Sequence, residues 1–350
     1  MSTRANLTRS VTLLLAVACA SVLEDNTPYV TTPRVLAVRV EPAEVLAGEE
    51  VHLTALYADA TGALTTAPLD WSFCVTPKPL AELGPVASSC LTPGSEDLAE
   101  VGSGIDVTGL VPTDACSLFG PNPPPPVDGA AAGRPADPDV TGGFYQPVIA
   151  FAGDGAEGNA TFAQVRVRCG LANVSQETYI AWNTSYRSNE RPSVASVALV
   201  RGADETPIAA DGTGAVSVTA REEVSFKVSW PECPSAGVCG DGVCSSDEDV
   251  TICEADCAAP VGCRGAESYV VYNPETGLLD PRREGISATW FATGGILDVA
   301  RNGRSGDESE LDVTNVWTAP AEPGEVWVAV ALRDERGGVE FASFRVNVTP

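Results

Sequence analysis

Six cysteines fall within the 31 residues of segment 233–263, CPSAGVCGDGVCSSDEDVTICEADCAAPVGC. Thiols this dense either ligate a metal or pair with one another. Structural zinc sites draw on C-x-x-C pairs and on histidine, and the segment contains neither. A stretch this short cannot order itself by burying apolar surface, so cross-links must supply the order. Cys233, Cys239, Cys244, Cys253, Cys257 and Cys263 are therefore expected as disulfides, in a connectivity that spacing leaves open. The hexapeptide Cys239–Cys244 (CGDGVC) reads as a tight loop, with Gly supplying positive φ and Asp capping its own backbone. Four further cysteines, Cys74, Cys90, Cys116 and Cys169, lie in the first half. Cys74 and Cys169 both fall on expected strands, which suggests an inter-sheet bond between them and a Cys90–Cys116 staple across the intervening loop.

The same insertion carries Asp241, Asp247, Asp249 and Asp256, hard oxygen ligands that could order it around calcium. The EF-hand pattern fails, because counting from Asp247 puts Ile252 at position six and Ala258 at position twelve. A solvated acidic face is the competing reading. Other chemistry finds little support. G-x-S-x-G, H-E-x-x-H and S-x-x-K motifs are all missing from the sequence. The single histidine, His52, is out of phase with the inward residues of its strand and should face solvent. With 47 acids a glycosidase-type carboxylate pair can be imagined, but no motif singles one out. Tyr179, Trp182 and Tyr186 are the best local set for stacking on a sugar, against core packing as the alternative. A net charge of −26 argues against nucleic acid, which needs a clustered positive field.

These residues need elements to hold them, and the dominant pattern along the chain is period two. Leu36, Val38 and Val40 alternate, then Val51, Leu53, Ala55 and Tyr57, then Leu69, Trp71 and Phe73. Further runs at 145–151 and 161–169 follow a Pro/Gly-rich stretch, 84–143. The second half repeats the plan at 194–200, 223–230, 287–292, 325–334 and 341–348, the last two as a hairpin with Ala342, Phe344, Val346 and Val348 inward. Short strands separated by Gly/Pro/Asp turns predict an all-β chain of two antiparallel immunoglobulin-like β-sandwich domains. The first should cover 34–190, with 84–143 as a long loop, and the second 191–350, with 233–263 as a disulfide-rich insertion. No apolar helical stripe of useful length is found after residue 20.

The N-terminus supplies an address. Arg4 and Arg9 precede the apolar run Val11–Ala20, too short to span a hydrocarbon core of about 30 Å and suited to a signal-peptide h-region. Residues 1–18 are read as signal peptide and 19–33 as a tether. Ala16-Val17-Ala18-Cys19 resembles a bacterial lipobox, which implies lipidation of Cys19 and a membrane partner through the lipid. Ala18-Cys19-Ala20 also fits an ordinary A-x-A cleavage site, which would give a secreted chain. Ala20 after the cysteine resembles the pattern sorted to an outer membrane.

The pattern CGDGVC…ED…C…DC is similar to the short cysteine-rich repeat of exported myxobacterial proteins. The flanking strands resemble the bacterial immunoglobulin-like or PKD-like modules of lipoproteins in that lineage. The resemblance implies surface display, adhesion or spacing and no reaction. The expectation is a non-enzymatic cell-envelope lipoprotein. The alternative is a calcium-ordered module recognising carbohydrate or a protein partner, with an exported hydrolase third.

Overall fold

The computed structural model describes residues 28–79, 81–121, 139–153, 160–234, 237–245, 247–248, 250–258 and 262–350. The expected signal peptide, Cys19 and Asp249 lie outside them. The first half forms β1 (Arg34–Glu41), β2 (Glu44–Val45), β3 (Glu50–Asp59), β4 (Gly62–Ala63), β5 (Leu69–Cys74), β6 (Leu98–Ser103), β7 (Asp106–Leu110), β8 (Gly143–Ala152) and β9 (Ala160–Arg168). One sheet pairs β3 with β1, β4 and β7, and the other runs β2-β9-β8-β5-β6. Their facing sides bury the alternating residues read from the sequence, among them Val38, Val40, Leu53, Trp71, Phe73, Val165 and Val167. Each large side chain so buried contributes roughly 1.5–3 kcal/mol.

The second half forms β10 (Ser196–Arg201), β11 (Asp204–Ile208), β12 (Asp211–Thr219), β13 (Glu223–Ser229), β14 (Ser268–Asn273), β15 (Leu278–Arg283), β16 (Ile286–Ala292), β17 (Ile296–Leu297), β18 (Arg301–Arg304), β19 (Asp312–Thr318), β20 (Gly324–Arg333) and β21 (Val339–Thr349). Sheets ordered β11-β10-β13-β19-β17 and β12-β21-β20-β16-β18 face each other. Val224, Phe226, Trp290, Trp317, Phe344 and Val346 fill the space between them. The chain is an all-β, immunoglobulin-like sandwich protein. Pairing is antiparallel except for β2 with β9 and β12 with β21, which run parallel.

Several sequence expectations are corrected. The bonds are Cys74–Cys90 and Cys116–Cys169, each with Cα atoms 5.5 Å apart. Cys74 and Cys169 sit on one sheet, on either side of β8. Two strand spacings of about 4.8 Å put them beyond the reach of a disulfide. The stretch 84–143 is not simply a loop, because it contains β6 and β7, which add one strand to each sheet of the first sandwich, β6 beside β5 and β7 beside β3. Two further elements had no apolar stripe to announce them: helices α1 (Ala115–Phe119) and α2 (Gln176–Ser185). Ser175 caps α2 by accepting the Thr178 N–H at 3.0 Å. Among the ten α2 residues only Trp182 is buried, so no periodic face exists to read. The β14–β15 hairpin was likewise unread.

The tether also shortens. Val30 donates to the Ala292 carbonyl and Ala292 to that of Pro28, and Val30 is fully buried against the second sandwich. Residues 28–30 are therefore docked before the chain enters β1. No helix among the described residues is long and apolar enough to cross a membrane.

The two sandwiches meet in an apolar seam. Ala37 of β1 and Leu56 and Ala58 of β3 use the strand faces opposite their own core, and pack against Phe291, Trp327, Ala329 and Ala331. Gly62 lies so close to Trp327 that an added Cβ would stand 2.8 Å from its ring.

Candidate functional site

Beside the seam lies a cluster of buried charge built from elements of both halves. On the first-sandwich side, Glu44 of β2 accepts from Arg166 Nε of β9 at 2.7 Å, from the Tyr186 hydroxyl, and from the Asn189 N–H at 3.2 Å. Arg166 completes its fork on the Tyr145 hydroxyl at 3.1 Å and Thr141 Oγ1 at 3.0 Å. Tyr145 in turn donates to the Arg336 carbonyl at 3.1 Å, which carries the network into the β20–β21 turn.

Arg336 is the hub of the second half of the cluster. Its guanidinium donates to Glu284 at 2.7 Å, to Glu267, and to the Arg187 carbonyl at 2.9 Å, and it lies over the Tyr269 ring. Asp334 caps the turn by accepting the N–H groups of Arg336 and Gly338 at 2.9 and 2.8 Å. Three buried carboxylates thus crowd one guanidinium. Burial pushes the Glu284 carboxyl up to about 8 and Asp334 to about 6, against the pull of Arg336, and raises Glu267 well above the carboxylate range for the same reason. Burial works against the Arg336 charge, and Glu267 and Glu284 more than restore it. One oxygen each of Glu267 and Glu284 has no partner among the described residues.

The cysteine-rich insertion is clamped to this cluster. Its bonds are Cys233–Cys263 at the base, with Cys239–Cys253 and Cys244–Cys257 interlocked above. Helix α3 (Glu254–Cys257) places Asp256 so that its two oxygens accept the Gly240 and Gly242 N–H groups at 2.6 and 3.0 Å. Asp241 accepts the Val243 N–H and Asp247 the Gly237 N–H. The carboxylates proposed for calcium that are described therefore close turns of their own loop. Arg187 donates to the carbonyls of Cys244, Ser245 and Glu248 in the insertion and to Thr184 and Tyr186 at the end of α2. A cavity of about 250 Å³ opens above Arg187, between Asp247, Tyr269 and Pro281.

The aromatic set divides. Trp182 and Tyr186 are 1% and 2% exposed, and they pack with Leu171 against the β14–β15 hairpin. Arg168 lies over both rings. Tyr179, at 44%, is the exposed member. This is packing, and it presents no stacking platform of three rings. His52 is exposed as expected, with Thr108 Oγ1 at 3.1 Å and Asp106 at 3.6 Å. The residues of the charge cluster were not singled out from the sequence, because none belongs to a motif: Glu284 lies in PRREG and Asp334 and Arg336 in RDERGG, charged runs that read as solvated turns. Arg166 within TFAQVRVRC is typical: alternation puts it on the strand face opposite Val165 and Val167, which reads as solvent, yet it is buried.

No protein-family model matches the chain, and no curated protein matches it. Among solved structures, fibronectin(III)-like modules of CbhA from Clostridium thermocellum align over 89% of this chain and 94% of theirs, at 11% identity and TM-score 0.21. The adhesin InvE of Yersinia pseudotuberculosis aligns over 89% of this chain and 58% of its own, at 10% identity and TM-score 0.20. The Escherichia coli adhesin FdeC aligns over 90% and 64%, at 14% identity and TM-score 0.18. This chain spans less than two thirds of either adhesin chain. Such scores assign it neither a family nor a function.

Proposed function

We propose that the chain is a non-enzymatic lipoprotein of the cell envelope, exported, anchored through Cys19, and acting as a stiff structural or adhesive module. The observation that carries this reading is the seam. Two sandwiches joined by a bare linker would swing, whereas apolar packing continuous with a buried charge network holds them in one orientation. A spacer or an adhesive stalk gains from that stiffness. Five disulfides fit an oxidising destination. Glu267 and Glu284 are buried against Arg336, and Asp334 at the edge of a cavity is held by the N–H groups of its own turn, which favours a scaffold over a hydrolase.

With residues 28–30 docked on the body, only 19–27 would separate the lipid from it, at most about 30 Å of chain. The body would then stand close to the membrane, with any protein or carbohydrate partner meeting it there. The test is fractionation of a diderm bacterial host expressing the full chain and its Cys19→Ser variant. The parent should sediment with the outer membrane and the variant should move to the soluble fraction. A variant that stays with the membrane rules out anchoring through Cys19.

A further inference from the structure

Across the outer face of the second sandwich, three neighbouring strands carry one lateral row. Arg333 on β20 is paired with Ser287 on β16, and Ser287 with Gly303 on β18. Arg301 stands two residues along β18, opposite Thr289 and on the same face. Gly303 adds no side chain to the middle of this surface, and a Cβ there would meet the Ile286 carbonyl at 2.7 Å. The result is a cavity of about 550 Å³ floored by Ser287 and Gly303 and walled by Arg301, Arg304 and Arg333. Arg333 also borders a second cavity of about 240 Å³, where this face passes beneath β1 and β9 of the first sandwich.

Two of the three guanidiniums on this surface form no ion pair with a described residue. The Arg333 guanidinium makes no hydrogen bond or ion pair with any described residue, although it is half-buried. Burial, and then the neighbouring Arg301, lower its pKa. Arg301 donates to Ser287 Oγ at 2.8 Å and has no carboxylate partner among the described residues. Arg304 is neutralised by Glu308. Two acids also line the cavity: Asp334 accepts the N–H groups of its own turn and Glu335 the Tyr269 hydroxyl, and neither comes within 4 Å of the Arg301 or Arg333 guanidinium. Arg301 and Arg333 thus share one cavity and neither forms an ion pair with a described residue, in a chain with 47 acids and 21 bases. A half-desolvated, unpaired cation is costly, and an oxyanion held by two guanidinium forks would relieve that cost.

We propose that Arg301 and Arg333, with Ser287 between them, form a binding site for a tetrahedral oxyanion, the sulfate or phosphate monoester of a larger ligand. The site stands on observations separate from those behind the envelope role, and its failure leaves that role untouched.

The test is the melting midpoint of the full mature chain, disulfides intact, titrated with inorganic sulfate or phosphate at constant ionic strength set by chloride. Sulfate, phosphate or both should raise the midpoint of the parent as a ligand does. Sulfate also stabilises proteins by exclusion from their surface, and this general effect should persist in Arg333→Gln while the specific one disappears. In chloride alone Arg333→Gln should melt no lower than the parent, because it removes a charge that pairs with nothing. Arg301→Gln should weaken anion binding roughly tenfold or more. Dextran bearing sulfate esters, dextran bearing phosphate monoesters and neutral dextran then identify the ester. An anion response equal in the parent and in Arg333→Gln would overturn the proposal, as would binding of neutral dextran to the same extent as the esters.

Discussion

Arg336 shows how a single residue can set the pH response of the molecule. Glu267, Glu284 and Asp334 cannot all ionise beside one guanidinium without strong repulsion and desolvation. Glu284 is raised to about 8 and Asp334 to about 6 in the folded chain, from unfolded values of about 4.3 and 3.9. Between those limits the folded state binds more protons than the unfolded state. The stability each group contributes is therefore complete below its unfolded value and lost as pH rises through its folded one. Asp59, Asp211, Glu222 and Glu308 shift the other way through hydrogen bonds from Thr61, Thr213, Arg201 and Ser305, but they lie on the surface, where screening leaves them small. The urea midpoint should therefore rise as pH falls from 9 to about 6. Glu284→Gln keeps an acceptor for Arg336 Nε and should flatten that slope. A parent midpoint that declines steadily over this range would contradict the assignment.

At the scale of elements, cross-links and short helices act where the strand pattern is silent. The Cys116–Cys169 bond spans 53 residues and Cys74–Cys90 spans 16. On the chain-entropy account the first removes about 4 kcal/mol of unfolded-state freedom and the second about 3. Replacing Cys116 and Cys169 together by Ala should therefore cost more than replacing Cys74 and Cys90, by about 1 kcal/mol in denaturant unfolding. Peptide mapping of the parent should return Cys74 joined to Cys90. A peptide joining Cys74 to Cys169 would mean that the sheet order is wrong. The insertion follows the same logic, with three bonds and an aspartate-capped turn replacing the core it is too small to build. Arg187 then ties it by main-chain carbonyls to the end of α2, so it behaves as part of the junction and not as a free tip.

For the whole molecule the seam decides whether the two sandwiches unfold together. Trp327 is 2% exposed and packs against Gly62, which has φ near +111° and no room for a side chain. Calorimetry of the parent should give one cooperative transition. Trp327→Ala should cost about 3–5 kcal/mol by opening a cavity in the seam, and should split the transition in two. Gly62→Ala should destabilise by about 1–3 kcal/mol through the clash and the strained backbone. Two separate transitions in the parent would mean that the seam does not couple the halves.

The sequence by itself determined what depends on neighbours along the chain. Alternation marked the strands and their core-facing residues, and turn residues divided the hairpins. The even set of ten cysteines after Cys19 predicted full pairing, as found. What depends on neighbours in space was decided only by the tertiary structure. Which cysteines pair follows from sheet order, and Leu56 and Ala58 became a second core only because another sandwich covers them. Glu267, Glu284 and Arg336 are distant in sequence, and ordinary as surface residues anywhere else. Burial at one point makes each charge depend on the others, and no local pattern records a desolvation that arises only when separate elements close over the same space.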